Sequence, residues 1–397
     1  MRFDPTRCAF PRPGIPLRAD RATYPTLAGL FRPLGRSPDA ANFRHYTRGR
    51  YALNDAYRLA GLGPGNILLA PAYHCVTMLD PAMNIGADVL LYPLHADLSP
   101  DVAGLDRLLQ ISKKPVRALL ATHFFGLARD YTDLKRWCDA HGIVLIEDCS
   151  HVLFTEHYQS AGTGIYGKFV TASPYKFFPG DDGGLLYAPD SRDIAGIRTK
   201  RRGMISELKG IKHLLDKTQS RDVVPFELCQ LNDRLTSLVE RPLIPAEELC
   251  IPYAQPSRQF VRRDTEYSSL FSSRRLALSS SVEHIVRARR LHFRRWLATV
   301  AELPHCHAIY SDLPPDFTPY MFPLHIKCPT PHFYWLKQLG FPIWRWDELA
   351  ASDCPVAQDY RLHLLHLPCH QSLSSKQLDW MTATLKRVVQ INGHEAS

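Results

Sequence analysis

Four apolar runs in the N-terminal half of the chain limit what it can fold into. Asn66–Ala70, Asp88–Tyr92, Arg117–His123 and Gly142–Asp148 are short, nearly unbroken in hydrophobic character and set apart by stretches of helical pattern. A strand with no polar face is one buried on both sides, and strands that alternate with helices argue a doubly wound, largely parallel sheet. The helical stretches carry their own signals. Tyr51–Ala60 stops at Gly61-Leu62-Gly63-Pro64-Gly65. Ser99-Pro100-Asp101 reads as a helix start with Ser99 as the cap. Asp130–Ala140 turns Leu134, Trp137 and Cys138 inward and ends at His141-Gly142.

The run Gly142–Asp148 closes on two acids, Glu147 and Asp148. Ligands of open α/β sheets bind at the carboxyl ends of the strands, so these carboxylates lie where a site is expected. Downstream, Thr171–Gly184 sits between two β-type runs, Lys168–Val170 and Leu185–Tyr187. It holds one lysine, Lys176, among prolines, aromatics and a glycine-rich exit. Apolar neighbours disfavour an ammonium, and a neutral lysine amine can form a Schiff base with an aldehyde. The plain alternative is a solvated loop lysine. A carboxylate such as Asp148 can keep a pyridine nitrogen protonated, and the lysine and that acid are the two groups pyridoxal phosphate (PLP) chemistry needs.

Glu147-Asp148-Cys149-Ser150-His151, followed by Ser173-Pro174-Tyr175-Lys176-Phe177 and Gly183-Gly184, resembles the fold-type I PLP-dependent nucleotide-sugar aminotransferases, the DegT-like family. The likeness runs from about residue 44 to about residue 390. It implies an α/β large domain with a mostly parallel sheet of the PLP transferase fold-type I kind, plus a smaller α+β C-terminal domain. It implies Lys176 as the catalytic residue, holding PLP as an internal aldimine and then shuttling a proton, with Asp148 on the ring nitrogen. His151 stands where many relatives carry Gln beside the ring, and Thr171 matches a hydroxyl near the phosphate. Gly49 and Arg50 open the first helix, where relatives use small hydroxylated residues to hold that phosphate, and the neighbouring Arg48 adds charge. Cys75 occupies a position where the family often places a ring-covering aromatic; Tyr73 or His74 takes over that role or the pocket is more open, while a core-packing Tyr73 and a structural His74 remain equally open readings. Asn232-Asp233-Arg234-Leu235-Thr236 resembles an element whose Asn reaches the phosphate of the neighbouring subunit, implying a homodimer; Pro242 shortens any helix there. Some relatives replace the lysine with His and dehydrate their substrate, and Lys176 argues against that branch.

The activity implied is amino transfer from L-glutamate or L-glutamine to a carbonyl acceptor, a nucleotide-linked keto-sugar or a natural-product intermediate in polysaccharide or secondary-metabolite synthesis. Two rivals keep the same scaffold: another PLP reaction (decarboxylation, elimination or carbon–carbon bond formation), and a PLP-bound regulatory protein without catalysis.

At 397 residues the chain is long for a single core. We expect an irregular N-terminal arm over 1–43, packed on a partner subunit, a PLP-binding domain over 44–256 and a C-terminal domain over 257–397. In the last, Val282–Val300 and Ser374–Val389 read as helices, Pro331–Leu339 as a third, and Pro319–Ile326 and Leu362–His370 as strands. Arg198–Lys217 reads as a basic, mobile loop-helix segment. The net charge of +9 is scattered in short clusters without a nucleic-acid-binding motif, so small molecules rather than nucleic acid are the expected partners. Ten cysteines without a CxxC pair fit a reducing, cytoplasmic setting and suggest no zinc or other metal site. No apolar run is long enough to cross a membrane.

Overall fold

A computed structural model describes residues 10–19, 39–218, 222–241 and 256–391. Its main sheet has seven strands: β1 (Phe43–Tyr46), β2 (Ile67–Pro71), β3 (Asp88–Tyr92), β4 (Val116–Thr122), β5 (Val144–Cys149), β6 (Phe169–Ala172) and β7 (Gly184–Tyr187). They lie in the order β1-β7-β6-β5-β4-β2-β3. All neighbours from β3 through β6 pair in parallel, and β7 runs antiparallel to both β6 and β1. The four apolar runs become β2 to β5. Their central residues, Leu68, Leu69, Leu119, Leu120 and Ile146, are fully buried because helices cover both faces.

A second sheet, in the order β10-β9-β8, is antiparallel: β8 (Cys306–Ala308), β9 (Met321–Ile326) and β10 (Leu364–Pro368). The helix Val282–Val300 packs on β8 and β9, and the helix Ser375–Val389 packs against that helix. The first is capped by Ser281, whose hydroxyl accepts from His284 N, and buries Ile285, Phe293 and Trp296. The second starts with a capping box between Ser374 and Gln377. One continuous apolar core joins the two sheets, from Leu69 and Phe124 to Phe322 and Leu385.

Several boundaries differ from the sequence reading. The helix after β3 runs Val102–Ile111 and is capped by Asp101, which accepts from Gly104 N; Ser99 instead donates to Asp97. Arg198–Lys217 contributes an ordered helix, Met204–Thr218. Val76–Asn84 is helical despite Pro81 within it. Residues 355 to 363 form a helix that passes straight into β10, so the strand begins at Leu364 rather than Leu362. In the N-terminal arm, the described residues 10–19 pack on their own chain. Ile15 is fully buried, Phe10 meets Phe333 and Tyr334, and Pro16 O accepts from His370 Nε2. Beyond residue 256, Ser257 bonds Asp80 and Lys200 pairs with Glu266, so this stretch lies against the main sheet's side of the molecule. Among the described residues no helix is long and apolar enough to cross a membrane.

Candidate active site

Strand alternation separates the two acids at the end of β5. Glu147 turns one way, fully buried, and accepts from Gly164 N, Tyr166 N, Gly167 N and His123 Nε2. Those bonds hold it well supplied as an anion, and they keep its carboxyl below the ordinary range against the cost of burial. It is a structural anchor for the 164–167 turn.

Asp148 faces the lysine turn. It is 1% exposed, and its carboxyl is pushed up by burial, with Ser150 N at 2.9 Å and the positive charge of Lys176 pulling the other way. Its register partner on β6 is Thr171. β6 ends at Ala172, and a single 3-10 turn, Pro174–Lys176, presents the lysine beside the carboxyl ends of β5 and β6. Lys176 Nζ lies 5.3 Å from the ring centroid of Tyr320, the residue just before β9.

The turn is held from the second half of the chain. Arg289, fully buried on the helix Val282–Val300, donates to Lys176 O at 3.1 Å, to Pro319 O and Tyr320 O at 3.0 and 3.1 Å, and to Gln371 Oε1 at 2.9 Å. Its guanidinium lies 4.5 Å over Phe177, and Gln371 donates to Phe177 O at 2.7 Å. Burial lowers the Arg289 pKa to about 10. A planar fork with several donors can bridge these carbonyls; an ammonium cannot.

His151 follows the β5 end and is 3% exposed. Burial first, then Lys176, His366 and Arg18, hold its pKa well below the ordinary value, so it is a neutral ring. Its Nδ1 accepts from Phe125 N at 3.4 Å, and it stacks on Tyr320 at 4.6 Å with Trp346 and Phe125 at 5.5 and 5.8 Å. This wall depends on a close approach. Gly126, at φ +105°, could not carry a Cβ, which would lie 2.2 Å from Thr318 O, and Tyr320 N donates to Phe125 O at 2.9 Å.

The helix Gly49–Leu59 opens beside the same strand ends. Arg48 gives it no side-chain cap; Tyr51 N donates to Arg48 O, which leaves the N–H groups of Gly49 and Arg50 at the open end of the first turn. A Cβ at Gly49 would lie 2.3 Å from Ser173 Oγ and 3.3 Å from Ser150 Oγ. Thr171 is fully buried, and its Oγ1 has no hydrogen-bond partner among the described residues. Tyr175, half-buried, collects cations: Arg48 lies 4.6 Å and Arg18 5.7 Å from its ring centroid. Burial pushes this phenol up, but Arg18, Lys176 and Arg48 outweigh it and leave it below its usual pKa. An electropositive cleft with an orphaned hydroxyl, open helix N–H groups and two serine hydroxyls fits a phosphate monoester.

Other sequence candidates lie further out. Arg50 donates to Gln259 O, and Arg48 donates to Asp181 O at 2.8 Å. His74 is fully buried between Pro71 O, Ala72 O and Ala350 N, with burial lowering its pKa to about 4; it is a satisfied structural histidine. Cys75 caps the helix Val76–Asn84, its thiol 3.2 Å from Thr77 Oγ1. Tyr73 is fully buried, shares a hydrogen bond with His366 Nε2 at 2.8 Å and packs on Trp346 at 4.9 Å. Asn232 lies on the helix Leu231–Val239 and accepts from Arg387 at 2.8 Å. The sequence reading did not single out Arg18, Phe125, Tyr320, Trp346 or Arg289; only Phe125, at the end of an apolar run, carried a local signal.

The chain is similar to known aminotransferases. It is 28% identical over 173 residues to GDP-perosamine synthase of Vibrio cholerae, an alignment that covers 40% of this chain and 44% of that protein, less than half its length. An aminotransferase of Helicobacter pylori involved in pseudaminic acid biosynthesis superposes with a TM-score of 0.62 at 12% identity, over 92% of this chain and 95% of that one. The PLP form of a putative sugar aminotransferase of Streptococcus pneumoniae gives 0.60 at 14%, over 98% and 99%. The fold is theirs: a mostly parallel seven-stranded sheet flanked by helices. Over residues 45–220, which hold Asp148, His151, Thr171 and Lys176, the chain matches the DegT/DnrJ/EryC1/StrS aminotransferase family.

Proposed function

We propose that this chain is a PLP-dependent aminotransferase that takes an amino group from L-glutamate or L-glutamine and delivers it to the carbonyl of a nucleotide-linked keto-sugar or a related natural-product intermediate. The observation that carries the reading is the pairing of Lys176 and Asp148 at the carboxyl ends of adjacent parallel strands, close enough for one charge to act on the other. When bound, PLP supplies an aldehyde carbon for amines and a pyridinium ring that accepts the electron pair left by deprotonation of the donor's α-carbon.

The residues around it divide the work. Gly49, Thr171, Ser150 and Ser173 hold the phosphate, with Arg48 and Arg50 supplying field. The Asp148 pKa is raised by burial despite its hydrogen bonds from Ser150, so a cationic N–H facing it would be favoured and would keep its proton on the ring nitrogen. The neutral, flat His151 ring covers one face of the site without competing for that proton. Lys176 Nζ would take up the proton of the donor's α-carbon and hold it for return later in the cycle. Arg289 keeps the lysine backbone fixed while the side chain moves. Phe125, Tyr320 and Trp346 exclude water from the neighbourhood of Nζ.

We infer a homodimer with Asn232 of one subunit near the phosphate site of the other. The eight cysteines among the described residues are free thiols, which suits a reducing cytoplasmic compartment. The test is the visible spectrum of purified protein given PLP, for the native chain and Lys176→Ala, before and after borohydride, then with L-glutamate. We expect a lysine-bound band, fixed by borohydride only where Lys176 is present and bleached by glutamate. A band that ignores glutamate, glutamine and other amino donors would retain the cofactor and sink amino transfer. No band at saturating PLP would remove the proposal altogether.

A further inference from the structure

The second sheet carries a cluster of side chains that the amino-transfer reading leaves unused. His325 is on β9, and Asp359 and His363 are on successive turns of the helix Pro355–His363. His325 Nε2 lies 2.8 Å from Asp359 Oδ2, and His363 Nδ1 lies 3.0 Å from Asp359 Oδ1. One ligand atom from each of the three falls within 4.8 Å of the other two. The side chains are 17%, 44% and 28% exposed, so an ion from solvent has a way in.

A fourth histidine joins them. His307 on β8 is the direct register partner of His325. Its exposed ring stacks on that of His325 at 4.7 Å, and His363 also stacks on His325, at 5.4 Å and 15°.

We propose that His325, Asp359 and His363 form a site for a divalent transition-metal ion, Zn²⁺ in particular, with His307 as an added donor once its ring turns edge-on. Two imidazoles and a carboxylate, with no thiolate, select Zn²⁺, Co²⁺, Ni²⁺ or Cu²⁺ over Mg²⁺ and Ca²⁺. Ligands about 2.0–2.1 Å from a tetrahedral ion sit about 3.3 Å from one another. The contacts of 2.8 and 3.0 Å thus need to open by only a few tenths of an ångström. His363 Nδ1 also lies 3.0 Å from Asp359 O, so this nitrogen exchanges its N–H contact with that carbonyl for the ion when it ligates. The ion would tie β9 to the helix that runs directly into β10, which carries His366 and its bond to Tyr73. The role is structural and leaves the Lys176 chemistry untouched.

The experiment uses the full chain stripped with a chelator and then titrated with ZnCl₂ and with CoCl₂ at neutral pH. We expect one equivalent per chain, visible Co²⁺ bands of a nitrogen/oxygen site, and a melting temperature raised by about 2–5 °C at a hundredfold excess over the dissociation constant. His363→Ala, near the surface and safe for folding, should weaken binding at least about tenfold and abolish the melting shift. His325→Ala should do the same, and His307→Ala should weaken binding less. Equal Zn²⁺ affinity and melting shift in His363→Ala and the native chain would overturn the proposal. So would a Co²⁺ spectrum dominated by sulfur charge transfer, which would place the ion on cysteines such as the exposed Cys229. Absence of saturable binding would leave the cluster as a plain ion pair and end it too.

Discussion

Thr171, the register partner of Asp148, buries a hydroxyl with no hydrogen-bond partner among the described residues. A fully buried hydroxyl with no acceptor or donor in reach costs about 1–3 kcal/mol relative to a satisfied one, and β-sheet alternation would accept Val equally well. Thr171→Val should therefore leave the PLP-free protein as stable or up to about 1 kcal/mol more stable in denaturant, yet raise the PLP dissociation constant about five- to tenfold. Unchanged PLP affinity would remove Thr171 from the phosphate site. At this scale the sequence was legible where a side chain's position follows from the strand it ends. Asp148 is the last residue but one of β5 and Lys176 follows β6, and both could be located from apolar runs alone. His74 and Cys75 also follow a strand, but His74 is held by Pro71 O, Ala72 O and the distant Ala350 N, and Cys75 meets the Thr77 hydroxyl, which residue type does not announce.

Between elements, Asp182 joins the glycine-rich exit of the lysine turn to the segment before the helix Phe271–Ser279. Leu270 N donates to both its carboxylate oxygens at 3.1 Å. Burial nevertheless raises its pKa from 3.8 to about 6. Between those values the folded chain holds a proton that the unfolded chain has released. Stability from this group is thus greatest at the acid end of the window and declines as pH rises through it, then levels off. A shift of this size is worth at most about 2–3 kcal/mol. Asp182→Asn should flatten the pH dependence of unfolding free energy across that window; an unaltered slope would assign it to another group. Elements were read well where a cap and a period agree. Val282–Val300 and Asp88–Tyr92 match to the residue. The helix before β10 was missed because no Gly or Pro separates it from the strand, and Val76–Asn84 because Pro81 breaks the expected pattern without breaking the helix.

For the whole molecule, the helix Met204–Thr218 bears on assembly. It docks through Glu207, which accepts from Phe271 N and Ser272 N, and through Gly210, against which Leu270 packs. That orientation turns Met204, Ile205 and Leu208 outward, at 79%, 72% and 60% exposed. Three large apolar side chains on one outward face are costly for a monomer and useful at a subunit contact. Light scattering should give twice the chain mass at micromolar concentration, and Ile205→Asp with Leu208→Lys should return it to the single chain. A native monomer, or a double variant that stays dimeric, would refute that contact. The sequence could not expose this face, because its basic composition masks the apolar stripe. The aromatic wall around His151 was equally hidden, since Phe125, Tyr320 and Trp346 come together only when the two sheets pack.

The Arg289 fork sets a schedule for the ribosome. By the time Lys176 has left the exit tunnel, the strands that flank it can pair, but the guanidinium that seats its carbonyl and the Gln371 amide that seats Phe177 have yet to be translated. The lysine turn is finished only once residue 371 has emerged, so its final shape is set late in synthesis.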